Sequence, residues 1–428
     1  MDLNVRTVEK QGYTLHIVDH KKFKTIHFTA KFRSVLSRDT ITKRALLPFV
    51  LQQGTAQYPT ANEFRRALDN LYGATFSIDG TKKGEQHILT ARMTLANQTY
   101  LSTDENILKR GLSFFSDTLF KPKQVDNQFD PKIVTKEKQT LKQKIASIAD
   151  DKLHYANIRL VDEMCKDEPY QIHIHGYPED IESITAENLA KYYQEILSDD
   201  TLDLYVMGDF ESVDVEQLVG NLFDRQENNH QKEQIITEDR DVQEAKQIIE
   251  EQSIQQGKLH LGYRTHIRYQ DPDYPALQVF NGIFGGFPSS KLFVNVREKN
   301  SLAYYASSQF ESHKGLLFIY SGIAPADFEK AKTIILDQVK AMQVGDFSDE
   351  QIDEAKRQII NQYKETLDDP FGMIEVIYNQ RVGQSTRSVA EFIEAIDQVT
   401  KESIIQVANK LELDTIYFLT ATGGQSDE

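Results

Sequence analysis

Two histidines near the start of the chain, His16 and His20, have a spacing that could bind a metal, because an i, i+4 pair on a helix can hold one ion. The residues around them, 12–18, are those of a β-strand rather than a helix. On a strand, side chains four residues apart are about 13 Å apart, too far to share an ion at a bond length of about 2.1 Å. The pattern therefore predicts a strand without a metal site.

Three further groups of residues could do chemistry, and each lacks a required part. His173 and His175 would share one face of a strand, but a structural zinc ion needs four ligands and no third candidate is nearby. Residues 282–291 are rich in glycine, but no glycine precedes Lys291 as a phosphate-binding loop requires, so a tight turn is predicted. Cys165 has no evident base beside it and is not predicted to be a nucleophile.

Composition excludes several classes of partner. The chain has 428 residues, with 49 basic and 65 acidic side chains and a formal net charge of −16. This balance argues against binding to nucleic acid or to an anionic membrane surface, both of which need clustered Lys and Arg. The single cysteine cannot form an intramolecular disulfide, and neither a signal sequence nor an apolar run of about 18 residues is evident. These features predict a cytoplasmic protein.

The elements that must position any site are organised by an internal repeat. Three pairs of similar segments occur in the same order in the two halves of the chain. They comprise an apolar stretch that follows a strand, a helix that ends in an Asp pair, and a helix that starts with Thr-x-Glu and leads to a strand. The pairs are 45–50 with 276–280, 137–148 with 354–366, and 184–189 with 399–404.

The repeat predicts an α+β fold built from two homologous halves of about 210 residues each, with mixed or antiparallel sheets flanked by helices. We expect a first domain over 1–225, a polar linker over 226–256 with a short helix at 242–251, and a second domain over 257–428. In the first half, residues 74–79 are the expected sheet edge, to which no substrate is assigned.

Residues 45–60 carry a family resemblance. Gly54-Thr55 and Tyr58-Pro59 match the end of a motif of the pitrilysin/insulinase-type metallopeptidases, and the match resembles the branch of mitochondrial processing peptidase. That family has an inverted zinc motif, H-x-x-E-H, before these residues. Counting back places Ala45 and Phe49 at the two histidine positions and Pro48 at the glutamate base. The resemblance thus implies that all three functional groups are lost.

The family's third zinc ligand is a glutamate in a later helix, and residues 137–145 are similar to that segment. The ligand position falls on Lys144, whose ammonium group would repel Zn²⁺. With four positions unsuited to zinc, the resemblance implies an inactive member of the family that binds no metal cofactor of its own.

The second half keeps a signature that the resemblance makes informative. Residues 292–304 are similar to the family's Arg-Glu-Lys-x-x-Leu-Ala-Tyr signature. The resemblance implies that Arg297 and Tyr304 bind the substrate backbone and stabilise an oxyanion. It also implies that this chain forms half of a clam-shell chamber, across which the two residues face the substrate. The structural alternative is that Arg297 makes an internal ion pair and Tyr304 packs. Gly285, Gly286 and Phe287 stand where the family's regulatory subunit has a longer glycine-rich substrate loop.

The leading hypothesis is a non-catalytic partner subunit of a heterodimeric zinc peptidase. A homologous subunit with an intact H-x-x-E-H motif would supply the zinc and the base, and this chain would contribute contacts to a peptide substrate in trans. One alternative is a stand-alone structural or peptide-binding scaffold. Another is a metallopeptidase whose ligands were not recognised among the scattered histidines, which are His87, His154, His260, His266 and His313.

Overall fold

The computed structural model describes residues 3–210, 213–223, 225 and 240–422. The chain divides into two compact units, each built from two stretches of sequence. The N-terminal unit comprises Leu3–Ser147 and Ile172–Ile236, and the C-terminal unit takes Ile148–Gln171 together with Thr237–Glu428. A segment from the first half of the chain therefore belongs to the C-terminal unit. Residues 226–239 of the predicted linker lie outside the described residues.

The N-terminal unit is a mixed sheet with helices. Its six-stranded sheet has the order β1-β2-β8-β3-β5-β4, with β2 and β8 parallel and the other neighbours antiparallel. The strands are β1 (Val5–Lys10), β2 (Tyr13–Asp19), β3 (Thr25–Val35), β4 (Thr75–Lys83), β5 (Gln86–Ala96) and β8 (Thr201–Gly208), with a separate hairpin of β6 (Gln124–Val125) and β7 (Gln128–Phe129). The helices are α1 (Ile41–Leu51), α2 (Ala61–Asp69), α3 (Ile107–Phe120), α4 (Pro131–Asp150), α6 (Pro178–Ile181), α7 (Ala186–Asp199) and α8 (Val215–Leu222).

The C-terminal unit repeats this plan. Its five-stranded sheet has the order β11-β12-β10-β13-β9, in which only β13 and β9 are parallel. The strands are β9 (Lys246–Gln252), β10 (Gly257–Arg264), β11 (Ala303–Glu311), β12 (Leu316–Ile323) and β13 (Glu412–Ala421). The helices are α5 (Lys152–Met164), α9 (Tyr274–Asn281), α10 (Phe328–Gln343), α11 (Asp349–Thr366), α12 (Pro370–Val382), α13 (Val389–Asp397) and α14 (Lys401–Asn409).

The two sheets confirm the predicted repeat and the α+β fold. Without β1, the first sheet has the order β4-β5-β3-β8-β2, and the second follows the same path as β11-β12-β10-β13-β9. Each of these two sheets contains one parallel pair. It joins the last strand of that half to the strand that comes just before the central strand in sequence: β8 pairs with β2, and β13 pairs with β9. The predicted edge at 74–79 is also confirmed, because β4 lies at the end of the first sheet.

Equivalent helices begin with equivalent caps. The hydroxyl of Thr185 accepts a hydrogen bond from the Asn188 amide at the start of α7, and Thr400 does the same for Ser403 at the start of α14, with distances of 3.1 and 3.2 Å. In both helices the third residue also bonds back to the cap, which satisfies two free N–H groups of the first turn. The predicted threonine caps are therefore confirmed.

One predicted element was wrong. Residues 242–251 were expected to include a short helix, whereas residues 246–252 form β9, which pairs with β13. Exposure alternates along this strand, and Ile248 packs against apolar residues while its neighbours are more open. The period of two is that of a half-buried strand, but the sequence hides it because the apolar Ile249 lies on the open face and the charged Glu250 on the covered face.

Helix α5 covers one face of the second sheet. Its buried side chains pack with residues of β12 and β13 in one apolar cluster, which contains Ala156, Leu160, Met164, Leu316, Phe318, Tyr417 and Leu419. Gly262 on β10 permits the close approach, because a Cβ atom at that position would lie 2.5 Å from the Met164 sulfur. The helix that follows α4 in sequence is thus part of the core of the C-terminal unit.

A buried ion cluster, here termed the latch, fixes the residues after α5. The Glu168 carboxylate accepts hydrogen bonds at 2.6 Å from Arg264 and at 2.7 Å from Lys314. Arg264 also donates to Asp414 at 2.8 Å. All four side chains are largely buried, so water solvates their charges poorly. Each charge is therefore stabilised mainly by its oppositely charged partners.

No helix in the described part of the chain combines the length and the apolar character needed to cross a membrane.

Candidate functional site

The zinc-motif positions lie on α1, and they form part of the apolar core. Ala45 is 8% exposed and belongs to the core cluster of the N-terminal unit, and Phe49 packs against that cluster. Pro48 is buried inside the helix, where it has no N–H to donate, and its carbonyl oxygen accepts a hydrogen bond from the Gln52 side chain at 2.7 Å. None of the three side chains offers a lone pair, so these residues do not fit a zinc ion.

The fourth position is equally unsuited. Lys144 lies on α4 with its side chain exposed to solvent. Seven residues earlier on the same helix, Glu137 is buried at 3% exposure. Among the described residues, no group of three or more His, Cys, Asp and Glu side chains is arranged to hold a metal ion.

Restoring a single ligand is not expected to restore the site. We predict that Ala45→His binds no zinc at micromolar metal concentrations, because one imidazole provides only one of the three protein ligands of a catalytic zinc site. Metal analysis after dialysis against zinc would check this, with the unchanged chain as control. Stoichiometric zinc in the variant would show that the motif has been placed on the wrong residues.

The scattered histidines lie in separate local environments. His16 lies on β2 as predicted and is 3.1 Å from Asp203, in a buried pair. His87 Nδ1 accepts a hydrogen bond from Arg44 at 2.8 Å, and burial, together with the nearby Arg44 charge, lowers the pKa of His87 well below its ordinary value. Burial lowers the pKa of His260 to about 3. His266 lies 3.2 Å from Glu412. These are structural histidines, each in its own environment.

Arg297 is presented to solvent. It lies in the last turn of a π-helix over Phe293–Glu298, and its guanidinium carbon is 4.6 Å from the centre of the Phe293 ring. Within the described residues the Arg297 side chain forms no ion pair, so the alternative of an internal ion pair is not what the structure shows. A cation stacked on an aromatic ring but otherwise unengaged keeps its N–H donors available.

Tyr304 is also exposed, and a β-bulge accounts for its orientation. Ala303 pairs with Ile323 and Tyr305 with the adjacent Gly322, which leaves Tyr304 as the extra residue of β11. Its side chain is 79% exposed. Bulges re-aim side chains at sheet edges, and here the bulge directs a phenol into solvent rather than into the packing of the sheet.

The glycine-rich segment has a packing role. Residues Gly282–Gly286 form a π-helix, and a Cβ atom at Gly285 would lie 2.4 Å from the Ser308 hydroxyl and 2.7 Å from the Ser308 amide nitrogen. Phe287 belongs to the core cluster of the C-terminal unit. Gly286 is exposed at the end of the segment. A part for Gly285, Gly286 and Phe287 in substrate binding stays a prediction.

The four outer strands of the two large sheets differ in the charge of their side chains. Strands β1, β4 and β9 each carry several charged side chains, which discourage pairing with another strand. In contrast, residues 303–310 of β11 carry none, and their exposed side chains are those of Tyr304, Ser307 and Gln309. Of the four outer strands of the two large sheets, β11 is thus the best suited to accept an extended peptide by strand addition.

Comparison with known proteins agrees with the predicted loss of the zinc motif. The family model described as Peptidase M16 inactive domain matches residues 183–359. The chain is also 46% identical over 422 residues to a protein of Bacillus subtilis (strain 168), with 97% of each chain covered. The chain therefore belongs to the M16 peptidase family, the pitrilysin/insulinase-type metallopeptidases, and is an inactive homologue within it.

The Bacillus subtilis relative is named probable inactive metalloprotease YmfF. A more distant relative from the same organism, uncharacterized zinc protease YmxG, is 24% identical over 246 residues, covering 54% of this chain and 56% of that protein. Among solved structures, a conserved protein from Enterococcus faecalis V583 is 33% identical with a TM-score of 0.91, covering 99% of this chain and 100% of that one.

Proposed function

We propose that this chain is the non-catalytic partner subunit of a zinc-dependent heterodimeric peptidase. A homologous subunit with an intact H-x-x-E-H motif supplies the zinc ion and the general base, while this chain binds the peptide and contributes Arg297 and Tyr304 to the transition state. The observation that carries the proposal is the contrast between the two halves. The residues at the zinc-motif positions pack in the core of the N-terminal unit. In contrast, Arg297 and Tyr304 are exposed, and their N–H and O–H groups are available to donate hydrogen bonds.

The chemistry assigned to this pair is electrostatic. A tetrahedral intermediate of peptide hydrolysis carries an oxyanion, which a fixed guanidinium or phenol stabilises when it is placed within hydrogen-bond reach. Neither group needs a metal or a base on its own chain. The two residues can therefore act in trans while this chain alone has no peptidase activity.

The uncharged edge of β11 supports the binding part of the proposal, because a peptide that adds a strand there obtains its affinity from main-chain hydrogen bonds. The same edge favours the second candidate function, a peptide-binding scaffold that needs no catalytic partner. We place either function in the cytoplasm, in keeping with a chain whose one cysteine is a buried free thiol.

The test is affinity purification of the tagged full chain from its source cells, followed by identification of the co-purified proteins. The heterodimer predicts one near-stoichiometric homologue that carries H-x-x-E-H, and peptidase activity that a zinc chelator abolishes. Purification of the chain alone, or with unrelated proteins, would contradict the heterodimer and favour the scaffold.

A further inference from the structure

A groove between α2 and α3 of the N-terminal unit is far in sequence from Arg297 and Tyr304. Its volume is about 330 Å³, within the usual range for a site that holds a small molecule. We term it the α2–α3 groove, and its lining comprises Gln57, Tyr58, Glu63, Arg66, Ala67, Asn70, Leu71, Arg110, Ser113 and Phe114.

One part of the groove is apolar. Phe114, Leu71 and Ala67 are buried parts of the core of the N-terminal unit, with exposures of 3–6%. The rings of Tyr58 and Phe114 lie with their centres 5.7 Å apart. Since those three side chains are almost entirely buried, the ring of Tyr58, which is only partly buried, is the apolar surface that a ligand can reach.

The charged residues at the rim of the groove differ in whether they already have a partner. Glu63 is tied to the start of α2, where it accepts hydrogen bonds from the amide and hydroxyl of Thr60 at 3.0 and 2.7 Å. Arg110 is paired with Glu105 and also donates to the Asn70 carbonyl. Arg66 is exposed, and its side chain has no hydrogen bond or ion pair to any described residue.

We propose that the α2–α3 groove binds a carboxylate that bears an apolar group, with Arg66 bound to the carboxylate and the apolar group packed on the ring of Tyr58. An arginine can hold a carboxylate through two parallel hydrogen bonds, which is the geometry that an unengaged guanidinium at the rim leaves open. The ligand can be a free organic acid or the C-terminal residue of a peptide, since both present the same chemistry.

The proposal is tested by calorimetric titration of the full chain with N-acetylphenylalanine and with N-acetylphenylalaninamide, which differ only in the carboxylate. The acid is expected to bind, and the amide to bind at least about tenfold more weakly, because a hydrogen bond to a charged group contributes about 1.5–3 kcal/mol. Arg66→Gln is expected to lower affinity for the acid by a similar factor. Arg65→Gln, an exposed neighbour outside the groove, is the matched control and should bind as the unchanged chain does.

Either of two results would overturn the proposal: no binding of the acid to the unchanged chain, or equal binding of the acid and the amide to it. A peptide that ends in phenylalanine, compared with its C-terminal amide, distinguishes the two sources. Carboxylate-dependent binding of the peptide would support a peptide terminus as the ligand, and binding of the free acid alone would support a small molecule. Because this readout involves neither a partner subunit nor Arg297, it is independent of the proposed peptidase function.

Discussion

In a heterodimer assembled with its zinc-bearing partner, replacing Arg297 by alanine is expected to lower kcat by on the order of 10²–10³ while the two subunits remain associated. This is the usual loss when one donor to an oxyanion is removed. The structure supports a loss of chemistry rather than of stability, because Arg297 is exposed and its recorded contact is with the Phe293 ring. Steady-state kinetics with a peptide substrate, combined with size-exclusion chromatography of the pair, would measure both effects.

Tyr304→Phe removes the hydroxyl and keeps the ring, so it is expected to lower kcat without changing the bulge of β11. Lys299→Ala is the matched control, since Lys299 is an exposed cation two residues from Arg297 whose ammonium group donates to the Asn295 side chain. Similar losses in Arg297→Ala and Lys299→Ala would indicate a general effect of positive charge. Unchanged kinetics in both Arg297→Ala and Tyr304→Phe would remove the role in trans, and with it the main support for a catalytic heterodimer.

The second large effect is expected at the latch. We predict that Glu168→Gln destabilises the C-terminal unit by about 3–5 kcal/mol, the usual cost of breaking a buried ion pair by removing one partner. The variant removes the negative charge that Arg264 and Lys314 share, although Arg264 keeps its pair with Asp414, and it leaves both cationic side chains in place. Hydrogen exchange is the appropriate measurement, because it resolves the two units separately, and faster exchange is expected in α5 and β10.

Glu163→Gln is the control for the latch. Glu163 lies on α5 only a few residues away, but its pair with Arg159 is partly exposed and spans one helical turn, so a loss below about 1 kcal/mol is expected. A change of similar size in both variants would contradict the special role of the buried cluster.

The latch also makes a pH-dependent prediction. Burial alone would raise the pKa of Glu168, but hydrogen bonds from Arg264 and Lys314 outweigh it and hold the pKa below its ordinary value. A carboxylate with a lowered pKa adds stability that is complete above its unfolded pKa of about 4.3 and is lost as the pH falls through the folded value. The difference between the unchanged chain and Glu168→Gln should therefore be full at pH 7 and should shrink below about pH 4.

Much of the fold could be predicted from local patterns. Thr185 and Thr400 are visible in the sequence because capping depends on residues within one helical turn, and both form the expected hydrogen bonds. The absence of metal-binding side chains at Ala45, Pro48 and Phe49 is visible in the sequence, while their assignment to the zinc motif stays a prediction.

Features that depend on distant partners could not be predicted. The strand β9 was concealed because Ile249 and Glu250 lie on the faces opposite to those their polarity suggests, and its partner lies far along the chain. The α2–α3 groove arises from two helices whose spacing no sequence pattern records. Similarly, Gly262 is a glycine because Met164 of α5 packs against it, which only the tertiary structure shows.

The placement of α5 has a consequence for how the protein is made. On the ribosome, the helix emerges before any of the strands that bury Leu160 and Met164, and the remaining residues of the N-terminal unit are synthesised in between. The C-terminal unit is therefore not synthesised as one continuous stretch, and it cannot fold in the way that consecutive domains generally do. Its core has to wait for the last strand, β13, while an early helix stays uncovered, so the nascent chain carries an apolar surface through most of its synthesis.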